Sequence, residues 1–264
     1  MYRQHFGLSA HPFDKAATDL WEDGAMNPLR ERFNWLLQSP GLGLLYGEPG
    51  VGKTSAIRKL SQSLNPHRYQ VIYTAETDFG RTDLYRSLGL HFGLEPHYRR
   101  ANLWRDLKEA IQEKVETQNC LPVWILDEAQ NLPPSFFRDF PSFLNFAFDS
   151  KDLMTVWMVG LPPLAQTIDR ANKAPLASRI QMRTQIKPLH ERERFQAFLQ
   201  YGLKVAGCEH TLMTDTGIEL LRQASQGIPR QVGRIVRQAM RLAVPKGLNH
   251  VPDDLIQQAI EELR

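Results

Sequence analysis

Gly47-Glu48-Pro49-Gly50-Val51-Gly52-Lys53-Thr54 is the stretch on which the reading of this chain turns. Its spacing is G-x-x-x-x-G-K-T. An apolar run, residues 42–46, precedes it, and Ala56, Ile57, Leu60 and Leu64 follow at helical spacing. Strand, glycine-rich loop and helix is the context of a phosphate-binding loop. The glycines let backbone N–H groups turn inward around a polyphosphate, and the helix N-terminus adds partial positive charge. The motif assigns Lys53 to the β- and γ-phosphates and the Thr54 hydroxyl to Mg²⁺. With Ser55 beside them, these residues form the expected nucleotide-binding element.

Outward from the loop, the pattern alternates. Residues 71–73 read as a short buried strand, and Leu84, Leu88 and Phe92 mark a helix stopped by Gly93. A further helix carries Leu103, Leu107 and Ile111. Residues 123–126 read as a strand buried on both sides that delivers Asp127-Glu128 at its carboxyl end. A phenylalanine-rich helical stretch (Phe136, Phe137, Phe140, Phe143) leads to a strand at 155–159, and Met182, Thr184 and Ile186 alternate as a last strand before Pro188. Upstream, Asn27-Pro28 starts a helix with Leu29, Phe33, Leu36 and Leu37 on one face. Strands alternating with helices predict an α/β fold with a mostly parallel sheet flanked by helices. Beyond residue 189 the pattern is purely helical, around 195–203, 218–224, 232–242 and 255–263. The expected division is an N-terminal strap at 1–26, packed on the core through Phe6, Pro12, Phe13 and Trp21, an α/β core at 27–189 and a small C-terminal helical lid at 190–264.

At 264 residues, with 42% hydrophobic and 23% charged residues, the composition is that of a soluble globular protein. No apolar run approaches the roughly 20 residues of a membrane span, and the N-terminus holds no signal-peptide core. Cys120 and Cys208 have neither metal-ligand nor redox spacing, which suits reduced core thiols and a cytoplasmic location. A net charge of +3 permits a polyanionic partner without demanding one.

In such sheets ligands bind beyond the carboxyl ends of the strands, where both the loop and Asp127-Glu128 are expected. Asp127 is the expected Mg²⁺ partner, and Glu128 the base that takes a proton from an attacking water. Arg230, in Gly227-Ile228-Pro229-Arg230, opens a lid helix, from which an arginine can reach a γ-phosphate. Ser178-Arg179 and Arg183 flank the start of the last strand, and either arginine could face a neighbouring subunit's nucleotide as a finger.

The order of phosphate loop, Asp-Glu strand end, Ser-Arg before the last strand and Gly-x-Pro-Arg in a helical lid resembles an AAA+ ATPase. More narrowly, the chain resembles the ExeA/TniB/TnsC group of secretion-accessory ATPases and transposition regulators. His5-Phe6-Gly7-Leu8 with Pro12-Phe13, Leu126-Asp127-Glu128-Ala129-Gln130, and Val159-Gly160 with Pro162 and Leu164 carry that likeness. The resemblance implies ATP and Mg²⁺ as ligands, Arg230 as a sensor-2 residue and Arg179 as the better finger candidate. Relatives place a polar sensor-1 residue after the Val-Gly of the fourth strand. Here it is Leu161, which implies slow hydrolysis or another group in that role.

The family further implies a homo-oligomer, a ring or helical filament, around duplex DNA. In transposition regulators the DNA contacts come from two segments, here Asp78-Phe79-Gly80-Arg81-Thr82 and His97-Tyr98-Arg99-Arg100. The second, basic with an aromatic neighbour, suits tracking phosphates without reading bases. The expected function is ATP-dependent assembly on DNA that selects a target or recruits a transposase, with a transposase or adaptor protein as partner and no membrane. Alternatives are an ExeA-like secretion accessory and a helicase loader or initiator. Secretion-type members typically continue into a membrane span and a peptidoglycan-binding part, so the end at Arg264 turns the expectation toward DNA.

Overall fold

The structure, a computed structural model, describes residues 2–14, 20–22, 26–78, 80–170 and 173–264. Outside the described residues lie parts of the expected strap (1, 15–19 and 23–25) and Phe79 of the first expected DNA segment. The chain forms two compact units. One comprises Asp23–Gly47 and Ala56–Ile186, the other Met1–Glu22, Glu48–Ser55 and Lys187–Arg264.

The first unit is built on a sheet of β1 (Leu42–Gly47), β2 (Tyr69–Thr74), β3 (Leu121–Leu126), β4 (Thr155–Gly160) and β5 (Ile180–Ile186). The order is β2-β3-β4-β1-β5, and every neighbouring pair is parallel. Parallel strands need long crossovers. These supply α3 (Lys53–Gln62), α4 (Arg81–His91), α5 (Arg100–Glu116), α6 (Pro134–Phe143), α7 (Pro162–Ile168) and the short α8 (Ala174–Ala177), while α2 (Asn27–Gln38) precedes the first strand. Successive strand residues point to opposite faces. On β3, Val123 and Ile125 join Leu29, Phe33 and Leu36 of α2 and Ile57 of α3, where Phe33 stacks on Trp157 at 5.7 Å. Trp124 and Leu126 turn the other way, to Leu84, Tyr85, Leu103, Leu107 and the α6 phenylalanines. Helices therefore cover both faces, and the three central strands are buried.

The expectation of a buried strand at 71–73 is corrected. β2 is an edge strand, with Val71 38% and Tyr73 48% exposed. Val-Ile-Tyr is apolar throughout, and a short apolar run does not reveal whether it lies inside or at the rim. α7 and α8, which were not expected, are short helices with a proline in their first two positions.

The second unit contains α1 (Tyr2–His5), α9 (Arg192–Val205), α10 (Asp215–Ser225), α11 (Pro229–Ala243) and α12 (Asp253–Glu262). Phe195, Leu199, Leu221, Val232, Val236 and Ile256 are buried at its centre, together with Tyr2, Phe6 and Leu8. Phe13 lies beside Phe198 at 5.1 Å, and Arg237 Nη1 donates to the Pro12 carbonyl at 2.8 Å. The described part of the N-terminal stretch thus packs within the helical unit. Its aromatic anchors were legible, but not which hydrophobic cluster they join.

Candidate nucleotide site

Two strands of the first unit end at the same, carboxyl edge of the sheet. β1 ends in Gly47, which leads into the phosphate loop, and β3 ends in Leu126, which leads into Asp127. Only β4 separates the two strands.

Asp127 is 3% exposed. Its Oδ1 accepts from the Glu128 N–H at 2.9 Å, and its Oδ2 accepts from the Tyr73 hydroxyl at 2.9 Å. Burial, and then the charge and hydrogen bond of Asp127, push the Tyr73 phenol well above its ordinary range. Glu128 is exposed and left-handed, at φ 51° and ψ 35°. A non-glycine residue there is strained, and such residues cluster at functional sites. Buried Thr77 braces it by donating from Oγ1 to the Glu128 carbonyl at 2.8 Å. Gln130 Nε2 donates to Glu128 Oε2 at 2.6 Å, and Gln130 Oε1 accepts from the Leu161 N–H at 3.0 Å. Tyr73 and Thr77 were not singled out from the sequence, because their relation to the acidic pair depends on strand order, and Gln130 was quoted only as part of the Asp-Glu-Ala-Gln segment, without its bonds to Glu128 and Leu161.

In the other unit, the loop residues Glu48–Ser55 lie with the start of α11. Gly50 has φ +86° and Gly52 φ +103°. The Arg230 N–H donates to the Gly50 carbonyl at 3.2 Å, and a Cβ on Gly50 would sit 2.7 Å from Arg230 Cβ. Lys53 is 7% exposed, and its ammonium donates to the Glu48 carbonyl at 3.0 Å. Val51 is buried, while Glu48, Pro49 and Thr54 are exposed and Ser55 is half-buried. The Arg230 side chain is exposed. These residues fit a polyphosphate, with two left-handed glycines ahead of a helix N-terminus and a lysine drawn in among backbone groups. A Thr hydroxyl and a buried carboxylate are the hard oxygen donors that Mg²⁺ takes beside phosphate and water.

The two finger candidates have different surroundings. Arg179 binds both oxygens of Asp149 at 2.8 Å and lines a cavity of about 220 Å³ with Asp152, Ser178 and Gln181. Arg183, inside β5, donates to Asp169 at 2.6 Å.

The expected DNA segments converge on one acidic residue. Arg81 and Arg100 both donate to Asp139 Oδ2, and Arg138 Nε approaches Oδ1 at 3.4 Å. Burial alone would raise the Asp139 carboxyl, but the Arg100 hydrogen bond and the charge of Arg81 hold it below its usual range. Thr82 is half-buried in the first turn of α4. Tyr98 is 89% exposed, with the Arg86 guanidinium 5.5 Å from its ring, and Arg99 is exposed just before α5.

The comparisons give the family and the fold. The family model described as "AAA domain" matches residues 36–168, half of the chain. The chain belongs to that family, and its class is AAA+ ATPase. Its relatives include General secretion pathway protein A of Aeromonas hydrophila, 30% identical over 269 aligned positions, covering 100% of this chain and 48% of that protein. The chain spans about half the length of the curated relatives it matches. Among solved structures it is similar to Cdc6p from Pyrobaculum aerophilum, with TM-score 0.72 and 15% identity, over 95% of this chain and 70% of that one. It is also similar to the Aeropyrum pernix ORC1 protein in complex with DNA, with TM-score 0.69 and 14% identity, over 95% and 68%. At such identities these structures establish the fold. No helix among the described residues is long and apolar enough to cross a membrane.

Proposed function

We propose that this chain is a magnesium-dependent ATPase that assembles on duplex DNA when ATP is bound and regulates transposition. The observation that carries the enzymatic part is the delivery of Gly47 and Asp127-Glu128 to one edge of the sheet. In this reading the amides of residues 47–55 and Lys53 hold the polyphosphate, while Thr54 and Asp127 serve Mg²⁺. Mg²⁺ held by these two residues would supply positive charge against the negative charge that develops on the polyphosphate. Glu128 takes a proton from water as its oxygen joins the γ-phosphorus and the bond to the β-phosphate oxygen breaks, leaving ADP and phosphate. Arg230 answers to the γ-phosphate from α11. Arg179 serves a neighbouring copy's nucleotide, exchanging the Asp149 carboxylate for phosphate oxygens. Arg183, inside a strand, is the weaker choice.

Support for DNA comes from Tyr98 and Arg99, an exposed aromatic and an exposed cation side by side in sequence ahead of α5, and from a fold shared with an ORC1 protein captured on DNA. The expected partners are duplex DNA bound without sequence preference, further copies in a ring or filament, and a transposase or target-selection adaptor in the cytoplasm. A second reading, an accessory ATPase of secretion, is favoured by the likeness to General secretion pathway protein A along the whole chain.

Cosedimentation with duplex DNA separates them. The transposition reading expects nucleotide-dependent pelleting by wild type, none by Lys53→Ala, and at least about tenfold weaker binding by Tyr98→Ala/Arg99→Glu. Pelleting that ignores nucleotide, or survives the double substitution, removes the proposed DNA surface. Absence of DNA binding in every nucleotide state favours the secretion reading.

A further inference from the structure

Leu161 leaves the end of β4 without a side chain able to hold a carboxylate or a water, and the structure shows what occupies that place. Gln130 lies in the short turn after Glu128, and both ends of its amide are used, one on a residue two positions back and the other across a gap of 31 residues. Nε2 donates to Glu128 Oε2 at 2.6 Å, and Oε1 accepts from the Leu161 N–H at 3.0 Å. The two partners fix the orientation of the amide, since a reversed group would set donor against donor and acceptor against acceptor. Gly160 makes room for it: a Cβ there would lie 2.6 Å from Gln130 Oε1. The Glu128 main chain is pinned as well, by Asp127 Oδ1 on its N–H at 2.9 Å and by the Thr77 hydroxyl on its carbonyl at 2.8 Å. Backbone and one carboxylate oxygen are thus held, and Oε1 has no hydrogen-bond partner among the described residues.

We propose that Gln130 is a positioning residue for ATP hydrolysis. It ties the Glu128 carboxylate to the end of β4 and supplies, from the turn after β3, the polar contact that Leu161 cannot make. The proposal rests on the reading of Glu128 as the base. A carboxylate on an exposed, unbraced side chain samples several rotamers, and a bridge to the sheet holds one of them. Misplacement of a reacting group by about 1 Å can cost on the order of a hundredfold in rate.

The test is turnover of ATP with magnesium by the full chain, alongside Gln130→Met, Gln130→Ala, Glu128→Gln and the double variant Glu128→Gln/Gln130→Met. KM and the affinity for a fluorescent ATP analogue are measured in parallel. Gln130→Met keeps the volume and loses both polar atoms. Its kcat is expected to fall about ten- to a hundredfold, with KM and analogue affinity within about twofold. In the Glu128→Gln background the same change is expected to cost nothing, because the group being positioned is gone. Full or faster turnover by Gln130→Met overturns the proposal, as does an equal loss in both backgrounds. So does a loss of analogue affinity in both single Gln130 variants that matches the loss in kcat, which would make the role structural. Wild-type turnover by Glu128→Gln overturns the base reading and this proposal with it. A slow Glu128→Gln beside an unimpaired Gln130→Met sinks the proposal alone.

Discussion

Gly50 shows how a single residue can be legible in kind yet incomplete in role. It fills a variable position of the motif, readable only as one more glycine of a glycine-rich loop, and the structure adds that Arg230 Cβ would lie 2.7 Å from any Cβ placed there. Gly50→Ala therefore has to leave the left-handed region or push away the start of α11. About 1–2 kcal/mol of local strain is expected, together with weaker nucleotide binding, which calorimetric titration with ATP reads directly. Tyr73 was legible only as an apolar strand residue. Its hydroxyl lies against Asp127, and its raised pKa means that the folded state retains the phenolic proton more firmly than the unfolded chain does. Any stability that wild type holds over Tyr73→Phe is then fully present below the unfolded phenol value of about 10 and is lost as pH rises beyond it. Denaturant unfolding of both proteins across alkaline pH checks the sign. Lys53, Thr54, Asp127 and Glu128 could be singled out because their chemistry is encoded within a few residues. The partners of Asp127 and Glu128 could not be, because Tyr73, Thr77 and Gln130 reach them through the order of strands and the turns that follow.

Among the elements, α6 was the most readable. Phe136, Phe137, Phe140 and Phe143 recur at helical spacing, and all four are buried. Phe136 contacts the rings of Tyr85, Trp124, Phe137 and Phe140. Phe136→Ala is expected to cost about 3–5 kcal/mol, visible as a lower midpoint in denaturant. β2 was the least readable, since its three apolar residues fit a central strand as well as an edge. α4 and α5 carry the arginines expected at DNA, yet Arg81 and Arg100 are both engaged by Asp139 of α6. That pairing is invisible in sequence, because Asp139 follows Arg81 by 58 residues. Asp139→Asn removes the negative charge that pairs both guanidinium groups. In the DNA reading it tightens binding and steepens the salt dependence by up to about two phosphate contacts. Unchanged affinity and slope would place the two arginines in structure rather than at DNA.

At the scale of the molecule, the fold class followed from the alternation of strands with helices and from two motifs placed at strand ends. The five parallel strands and their covering helices bear that out. The division of the chain was less accessible, since hydrophobic spacing marks which residues are buried without naming the cluster they join. The N-terminal anchors and the phosphate loop group with the C-terminal helices, through contacts such as Arg237 to Pro12 and Arg230 to Gly50. In the function proposed above, this loop would register which nucleotide is bound and so time an assembly. That claim stands first on nucleotide binding through Lys53. Calorimetric titration of ATP with magnesium into wild type and Lys53→Ala tests it most directly. The account predicts one saturable site per chain in wild type and an affinity lower by at least about tenfold in the variant, the cost of a lost charge-assisted contact. Equal binding by the two proteins would contradict it.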